Sequence, residues 1–501
     1  MNENPRNYNL LQEQWIPVLW VDGEVSRVGI REALAQAGRI RQIAASNPMD
    51  RVAILRFLLA ILYWCKGNPA DREDAKLADS FPPDWFAKLD ANAHRFNLLG
   101  QGKRFYQRPT SGSAKPPKKL SANYLIHEIP TGINLWHFRH STDEVHGLCP
   151  ACCAMGLLRL PLFATSGGRG KPPGVNAKPP VYVMPIGVSL AASLRLSWRE
   201  VSDLGTPAWE KPDVPLPKTG EVPLLMGLTW LPRRVWLDNP EEPKANCVSC
   251  GRKERLIRLC VFAGIGSTKT DVGGQGRIWR DPHVIEQSSK GGLFLRARDA
   301  LGASDAAAGQ WAEIMAGMLS DQRAHKPLWQ AIDSNVAEHA KVDAWVVGFS
   351  TVQNDKYLEA MEYWMPSPSS PHQVQESLGN IVRWHEEGRQ LGREVRLRSE
   401  KSQKEGRRKH VEIPPAINAI RPHVEARVSA RADHLLAGGH DAWGQAAREY
   451  SPLMAAIAKS LSPGFTTAAT QRRQQIAEVV PDMRAKTGPA RKSTRKKGGG
   501  T

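Results

Sequence analysis

Near the start of the chain, apolar and polar positions follow a strand-like pattern, which then gives way to a helical one. Trp15-Ile16-Pro17-Val18-Leu19-Trp20 runs into Val21-Asp22-Gly23-Glu24-Val25, two extended stretches around an Asp-Gly pair. Asp-Gly is strong turn chemistry, so the segment predicts a β-hairpin. Asn47-Pro48-Met49-Asp50 then opens a helix. Its apolar residues Val52, Ile54, Leu55, Leu58, Leu59, Ile61 and Leu62 cover most of the circumference, which predicts a helix enclosed by core. Residues 96–259 are rich in Gly and Pro, with short apolar segments such as Val181-Tyr182-Val183-Met184, and read as strands and long loops. Loops this long within a globular domain usually carry function. From about residue 370 helical periodicity takes over, with Val374, Leu378, Ile381 and Val382 on one segment and further helical stretches at 417–436, 443–461 and 466–480. The expectation is an α+β chain: a large mixed N-terminal domain over 1–369, a C-terminal four-helix bundle over 370–486 and a disordered basic tail over 487–501. No internal repeat is evident.

At 501 residues the chain is long for one core, which agrees with two domains. Sixteen Trp supply large amphipathic rings for buried contacts or assembly surfaces. The net charge of +18 selects polyanions as the partner class. A membrane is set aside, because the longest apolar run, residues 52–64, is too short to span one and is interrupted by Arg56. Residues 1–6 carry no apolar signal core, so a cytoplasmic protein is expected.

Seven cysteines with no export signal point to a reducing compartment, where thiols bind metal rather than pair. Cys149-Pro150-Ala151-Cys152 and Cys247-Val248-Ser249-Cys250-Gly251 are two C-x-x-C knuckles. Each spacing lets two thiolates meet one tetrahedral ion, so Cys149, Cys152, Cys247 and Cys250 predict a closed structural zinc site. The long interval between the pairs implies a module inserted between the halves of the site. Buried apolar cysteines are the competing reading, and His137 or His140 could replace a thiolate. Cys65, Cys153 and Cys260 are left over.

Asn9-Leu10-Leu11 followed by Trp15-Ile16-Pro17-Val18 resembles the opening signature of the CasA family, the large subunits of type I-E CRISPR Cascade complexes. The helix from Asp50, the Phe105-Tyr106-Gln107 segment, the two knuckles and a helical C-terminal third follow in the family's order, so the resemblance covers nearly the whole chain. It implies a non-catalytic subunit with a mixed N-terminal domain and a C-terminal four-helix bundle. Such a subunit recognises a protospacer-adjacent motif in double-stranded DNA, promotes duplex opening and R-loop formation, and recruits a separate helicase–nuclease.

The resemblance also implies site residues. Ser166-Gly167-Gly168-Arg169-Gly170 stands where the family carries a glycine loop, whose bare backbone can approach a groove floor. Arg169 replaces a small residue of the family's loop and could enter a narrow minor groove or hold a phosphate. Lys269 falls near a family lysine that contacts the motif, and Gln353-Asn354-Asp355 occupies the position of its duplex-splitting wedge. Phe138 and His140 match a loop that contacts the guide-RNA 5′ end and neighbouring Cascade subunits. The plain readings are a flexible loop, a solvated lysine, a polar turn and a core ring. Gly170-Lys171-Pro172 lacks the hydroxyl of a P-loop. A basic tract with Arg393, Arg396, Arg398, Lys401, Lys404, Arg407 and Arg408 is either a phosphate path or a solvated helix face. The acids are scattered and pair with no histidine, so no nuclease site is read. A stand-alone zinc-containing nucleic-acid enzyme and a non-specific basic scaffold are the rival functions.

Overall fold

The computed structural model describes residues 7–70, 80–109, 118–128, 147–164, 170–176, 180–265, 277–284, 286–287, 293–294, 343–352 and 356–365. All of these belong to one compact unit of mixed α/β structure, Met1–Arg298 with Asp321–Ser367. The bundle expected over 370–486 and the tail over 487–501 lie outside the described residues.

The N-terminal hairpin forms as its sequence predicts. Strand Ile16–Trp20 pairs antiparallel with Val25–Val28, and Gly23 takes the positive φ of +92° that the reversal requires. The Asp22 carboxylate accepts the Glu24 amide at 3.0 Å, fixing the turn from its side chain. Ile40–Ile43 pairs on the other side of Ile16–Trp20, giving a three-stranded sheet whose Ile16 and Val18 point into the core.

The predicted helix spans Pro48–Lys66. The Asn47 side chain caps it by accepting the Met49 amide at 2.8 Å, and Pro48 sits where its missing N–H costs nothing. Gly67, at φ +86°, ends it. Every residue from Val52 to Trp64 is buried, as the all-round apolar pattern requires. Around it lies an aromatic cluster of Phe57, Trp64, Phe96, Phe105, Tyr106 and Trp209, with Phe105 and Tyr106 stacked at 4.2 Å. Trp15, Trp64, Trp198, Trp209, Trp230, Trp279 and Trp345 are all buried, so much of the tryptophan content serves the core.

The Gly- and Pro-rich stretch 96–259 holds more helix than its composition predicts: Pro150–Phe163, Leu190–Ser197 and Leu224–Thr229. In Pro150–Phe163 the breakers have uses. Pro150 occupies the first turn, and a Cβ on Gly156 would stand 2.6 Å from Cβ of Leu125. Packing overrides propensity here. The unit also holds two further three-stranded antiparallel sheets. One orders Lys119–Ser121, Leu259–Ala263 and Arg234–Leu237; the other orders Lys356–Met365, Asp343–Val352 and Tyr182–Ile186.

Arg56 is the one charged residue inside the central helix's buried run, and it is 1% exposed. It grips Asp281 with two bonds, at 2.5 and 2.8 Å. Asp281 also accepts from Asn176 Nδ2 and from the His283 amide, each at 2.9 Å. Arg56 Nη1 lies 3.1 Å from His283 Nδ1. A guanidinium only donates, so Nδ1 is the acceptor and Nε2 carries the proton towards Ser197 Oγ, 3.1 Å away. Burial pushes the Asp281 carboxyl up, but the charge and hydrogen bonds of Arg56 outweigh it and hold the group below the usual carboxylate range.

Asp281→Ala would leave this guanidinium buried and unpaired, and denaturant unfolding should show a loss of about 3–5 kcal/mol. Arg56→Met combined with Asp281→Leu should recover most of it. Because the folded-state pKa is depressed, the Asp281 contribution is present above its unfolded pKa of about 4 and is lost as pH falls through the folded value. Wild type should therefore lose its stability advantage over the double variant in strong acid.

Candidate metal centre and nucleic-acid interface

Two distant knuckles meet because the backbone around each is joined to the other. Cys149 is the N-cap of Pro150–Phe163 and Cys152 lies in its first turn. Cys247 and Cys250 sit in the turn between antiparallel strands Glu241–Asn246 and Lys253–Leu256. Gly251 takes φ +72° and donates its amide to the Cys247 carbonyl at 2.8 Å, while Cys247 donates to the Arg252 carbonyl at 2.8 Å. Leu148 and Ile257 exchange backbone bonds of 3.0 and 2.8 Å, and Val248 donates to the Gly147 carbonyl at 3.3 Å. A Cβ on Gly147 would lie 2.6 Å from Cβ of Leu256, so glycine permits the approach.

The four sulfurs of Cys149, Cys152, Cys247 and Cys250 all lie within 4.8 Å of one another, and Cys149 and Cys250 are 3.7 Å apart. A tetrahedral zinc–thiolate centre with bonds of about 2.3 Å has sulfur–sulfur edges of about 3.8 Å. The donor set fits such an ion, which would supply a rigid cross-link between helix and hairpin. The Cys149 amide donates to Cys247 Sγ at 3.3 Å and Arg252 to Cys149 Sγ at 3.6 Å, both favouring thiolates. Hydrogen bonding to Cys149 first, then to Cys152, holds the Cys247 thiol down to about 6 and sends Cys250 lower still. Cys152 is driven up, first by its bond to Cys149.

The leftover cysteines behave otherwise. Burial alone is the main cause that raises Cys65 and Cys260 to about 12 and Cys153 well above the thiol range. They match the buried-apolar reading, and the quartet does not. Among the described residues the quartet is the one group of three or more His, Cys, Asp or Glu placed to hold a metal ion. His137 and His140, the alternative ligands, lie outside the described residues.

Of the residues implied for DNA reading, Ser166, Gly167, Gly168, Arg169, Lys269, Gln353, Asn354 and Asp355 lie outside the described residues, as do Phe138 and His140. Gly170 is described, and so are the chain ends that flank the others. Gly170 stands at φ +74° and accepts the Ile265 amide at 2.9 Å. A Cβ on Gly264 would collide with the Gly170 carbonyl, so two bare backbones cross here. The segment bearing Gly168 ends at this crossing, and the segment bearing Lys269 begins there. Gly174 and Val175 donate back to the carbonyls of Ala164 and Pro161, at 2.7 and 3.1 Å. The buried Arg233 guanidinium donates to the Pro172 carbonyl.

The other two segments also leave from fixed points. Val352 pairs with Lys356, directly flanking residues 353–355, and Phe349 of the same strand packs edge-on against Phe163 at 4.8 Å. Ahead of the Phe138 segment, Glu128 is bound by Arg159 at 2.5 Å, and Arg159 also holds Asp50 at 2.6 Å. Sequence reading singled out neither Arg159 nor Arg233. A lone arginine in an apolar helical run is a usable signal for the first; nothing local marks the second.

Metal analysis of the purified chain should give one tightly bound ion per molecule. Cys152→Ser and Cys247→Ser should each lower that content and the melting temperature, whereas Cys153→Ser should leave the content unchanged.

Known proteins of similar sequence and structure agree with this architecture. The CRISPR-associated protein CasA/Cse1 of Thermus thermophilus is 30% identical over 220 residues, 42% of this chain and 43% of that protein, so the match spans under half of the relative's length. A crystal structure of Thermus thermophilus CasA superposes with a TM-score of 0.70 at 20% identity, covering 95% of this chain and all of that one. A chain of a CRISPR RNA-guided surveillance complex superposes with a TM-score of 0.65 at 17% identity, covering 96% of this chain and all of that one. The family model of the CRISPR-associated protein Cse1 matches residues 9–479, and the chain belongs to this Cse1 (CasA) family.

Proposed function

We propose that this chain is the non-catalytic large subunit of a type I-E Cascade surveillance complex and reads a short flanking motif in double-stranded DNA. One observation carries the reading: the segments bearing Gly168 and Lys269 adjoin a single crossing at Gly170 and Ile265. A motif of two or three base pairs is small, so the groups that test it must be presented from one place. The domain boundary near residue 369, the four-helix bundle and the basic tail belong to the same proposal.

The stages follow from charge and geometry. The basic chain samples duplex DNA through weak phosphate contacts, which are sequence-independent and sensitive to salt. Backbone amides of residues 166–170 and the Lys269 ammonium then test the groove, where the minor-groove pattern allows only coarse discrimination. Gln353, Asn354 and Asp355 offer short amide and carboxylate groups to base edges as pairs separate. Guide RNA held by the other Cascade subunits supplies sequence specificity by pairing, and the R-loop forms. Phe138 and His140 contact the guide-RNA 5′ end or a neighbouring subunit, by stacking and hydrogen bonding. The bundle holds the open state and presents a surface to the separate helicase–nuclease.

The metal is zinc, and its role is structural. Four sulfur ligands fill a tetrahedron and leave no position for water or substrate. The cysteine content and the nucleic-acid role suit the cytoplasm. A surveillance complex of similar fold supports placing the chain beside guide RNA and other subunits.

The test uses reconstituted Cascade, with this chain present or omitted, and duplexes differing only in the flanking trinucleotide. Discrimination should appear with the chain and collapse on Gly168→Asp or Asn354→Ala. Affinity indifferent to the flank in all cases would leave only a basic scaffold.

A further inference from the structure

We infer that the sheet end formed by Arg234, together with Lys171 beside it, is a phosphate-contact surface for duplex DNA flanking the reading loops. The inference rests on the proposed function and extends it to residues outside the loops. It begins from strand register. Arg234 pairs with Ala263, and the next residues, Gly264 and Ile265, form the crossing with Gly170. Lys171 follows Gly170 directly, and its Cγ would lie 3.1 Å from a Cβ on Gly264. Both cations therefore stand within a residue or two of the point where the loops diverge.

Their charge is not spent inside the protein. Among the described residues neither Lys171 nor Arg234 makes an ion pair or a side-chain hydrogen bond, and Arg234 Nε is buried without an acceptor. The Arg234 charge is also felt by Arg108, whose guanidinium is held below its ordinary value by burial first and by this like charge as well. Arg108 is offset by Asp213 at 3.3 Å. A cation with no anionic partner, felt by a like charge, is an arrangement that an incoming anion relieves.

The same strand face continues the charge. Val235 and Leu237 point into the core, so Arg234 and Trp236 share the outer face, about 7 Å apart along the strand. Arg104 stacks on Trp236 at 4.5 Å and gives its donors to the carbonyls of Gly100 and Leu237, neutral groups that leave its charge in place. Lys119 stands across Val261 and is paired with the Asp238 carboxylate at 2.7 Å. Of the cations named, Arg108 and Lys119 are paired with carboxylates among the described residues, Asp213 and Asp238. Forked and point-like cations on one face suit the closely spaced phosphates of a duplex, and such contacts set register without reading sequence.

The experiment uses the full chain in assembled Cascade and follows duplex binding across a salt series, for a preferred and a non-preferred flank. Lys171→Gln with Arg234→Gln should lower affinity by the same factor for both flanks. The slope of log affinity against log salt should become shallower by about two, with the ratio between flanks intact. Arg234→Lys should keep the slope. Metal content and melting temperature check the fold; if the double variant fails them, Arg234→Gln alone should remove about one unit of slope. An unchanged slope, as expected of bare surface or of an acidic protein partner, would overturn the inference. So would a loss confined to one flank, or an equal loss with single-stranded RNA in place of the duplex. Wild type that binds with full salt dependence but no flank preference would instead sink the flag-reading proposal and leave this contact standing.

Discussion

The bidentate pair between Arg56 and Asp281 is the constraint on which the rest of this unit depends. A helix buried on all sides can slide and rotate among many nearly equivalent apolar packings, because Leu and Ile side chains specify little direction. One guanidinium at its middle removes that freedom. It must meet a carboxylate, and the carboxylate must meet its other donors, or several kcal/mol are forfeited. Asp281, His283, Asn176, Tyr182 and Ser197 answer from three other parts of the chain, so a single charge indexes the helix against all of them. Replacement by apolar residues of equal volume can be neutral in stability, which makes register the better account of why such a pair is worth building.

What the indexed helix positions is a second helix. Pro150–Phe163 carries half of the cysteine quartet at its start and Phe163 at its end, and Arg159 ties its middle to Asp50 at the central helix's first turn. A helix of this length is a stiff rod of about 21 Å. The cysteine quartet brings one end against the hairpin bearing Cys247 and Cys250. Phe163 meets Phe349 at the other, in the strand that leads to residues 353–355. Phe138 and His140 precede the rod in sequence, and Gly168 follows it. Contacts at the two ends of this helix thereby limit where the flanking segments leave the scaffold.

Much of this was legible from local chemistry. Asp22-Gly23 specified its hairpin, and Asn47-Pro48 specified its helix start. Cys149, Cys152, Cys247 and Cys250 specified one another, because two-residue gaps suit tetrahedral ligation whatever lies between the pairs. The illegible parts are those decided by distant partners. Arg56 stood out only as a break in an apolar run, since its acceptor lies 225 positions away. The helix at 150–163 was hidden by its own Gly156 and Pro161, residues that argue against helix until Leu125 and the return of the chain at Val175 are in view. The backbone crossing was equally silent, for Gly170 and Ile265 have no feature that announces their pairing. The loop residues themselves came from family resemblance, not from any local rule.

Recognition of a short motif and affinity for DNA make opposite demands, and the proposed function assigns them to different residues. Discrimination needs groups with little charge held close to base edges, where a misplaced cation would bind every sequence alike. Affinity needs cations, and their field reaches about 10 Å at moderate salt. Bare glycine backbone crosses at Gly170 and Gly264, while Lys171 and Arg234 stand immediately outside the crossing. Placed there, the cations can draw a phosphate within reach without occupying the groove floor. On the proposed function, this spacing would let a basic chain bind weakly everywhere and still lose little of its power to tell one flank from another.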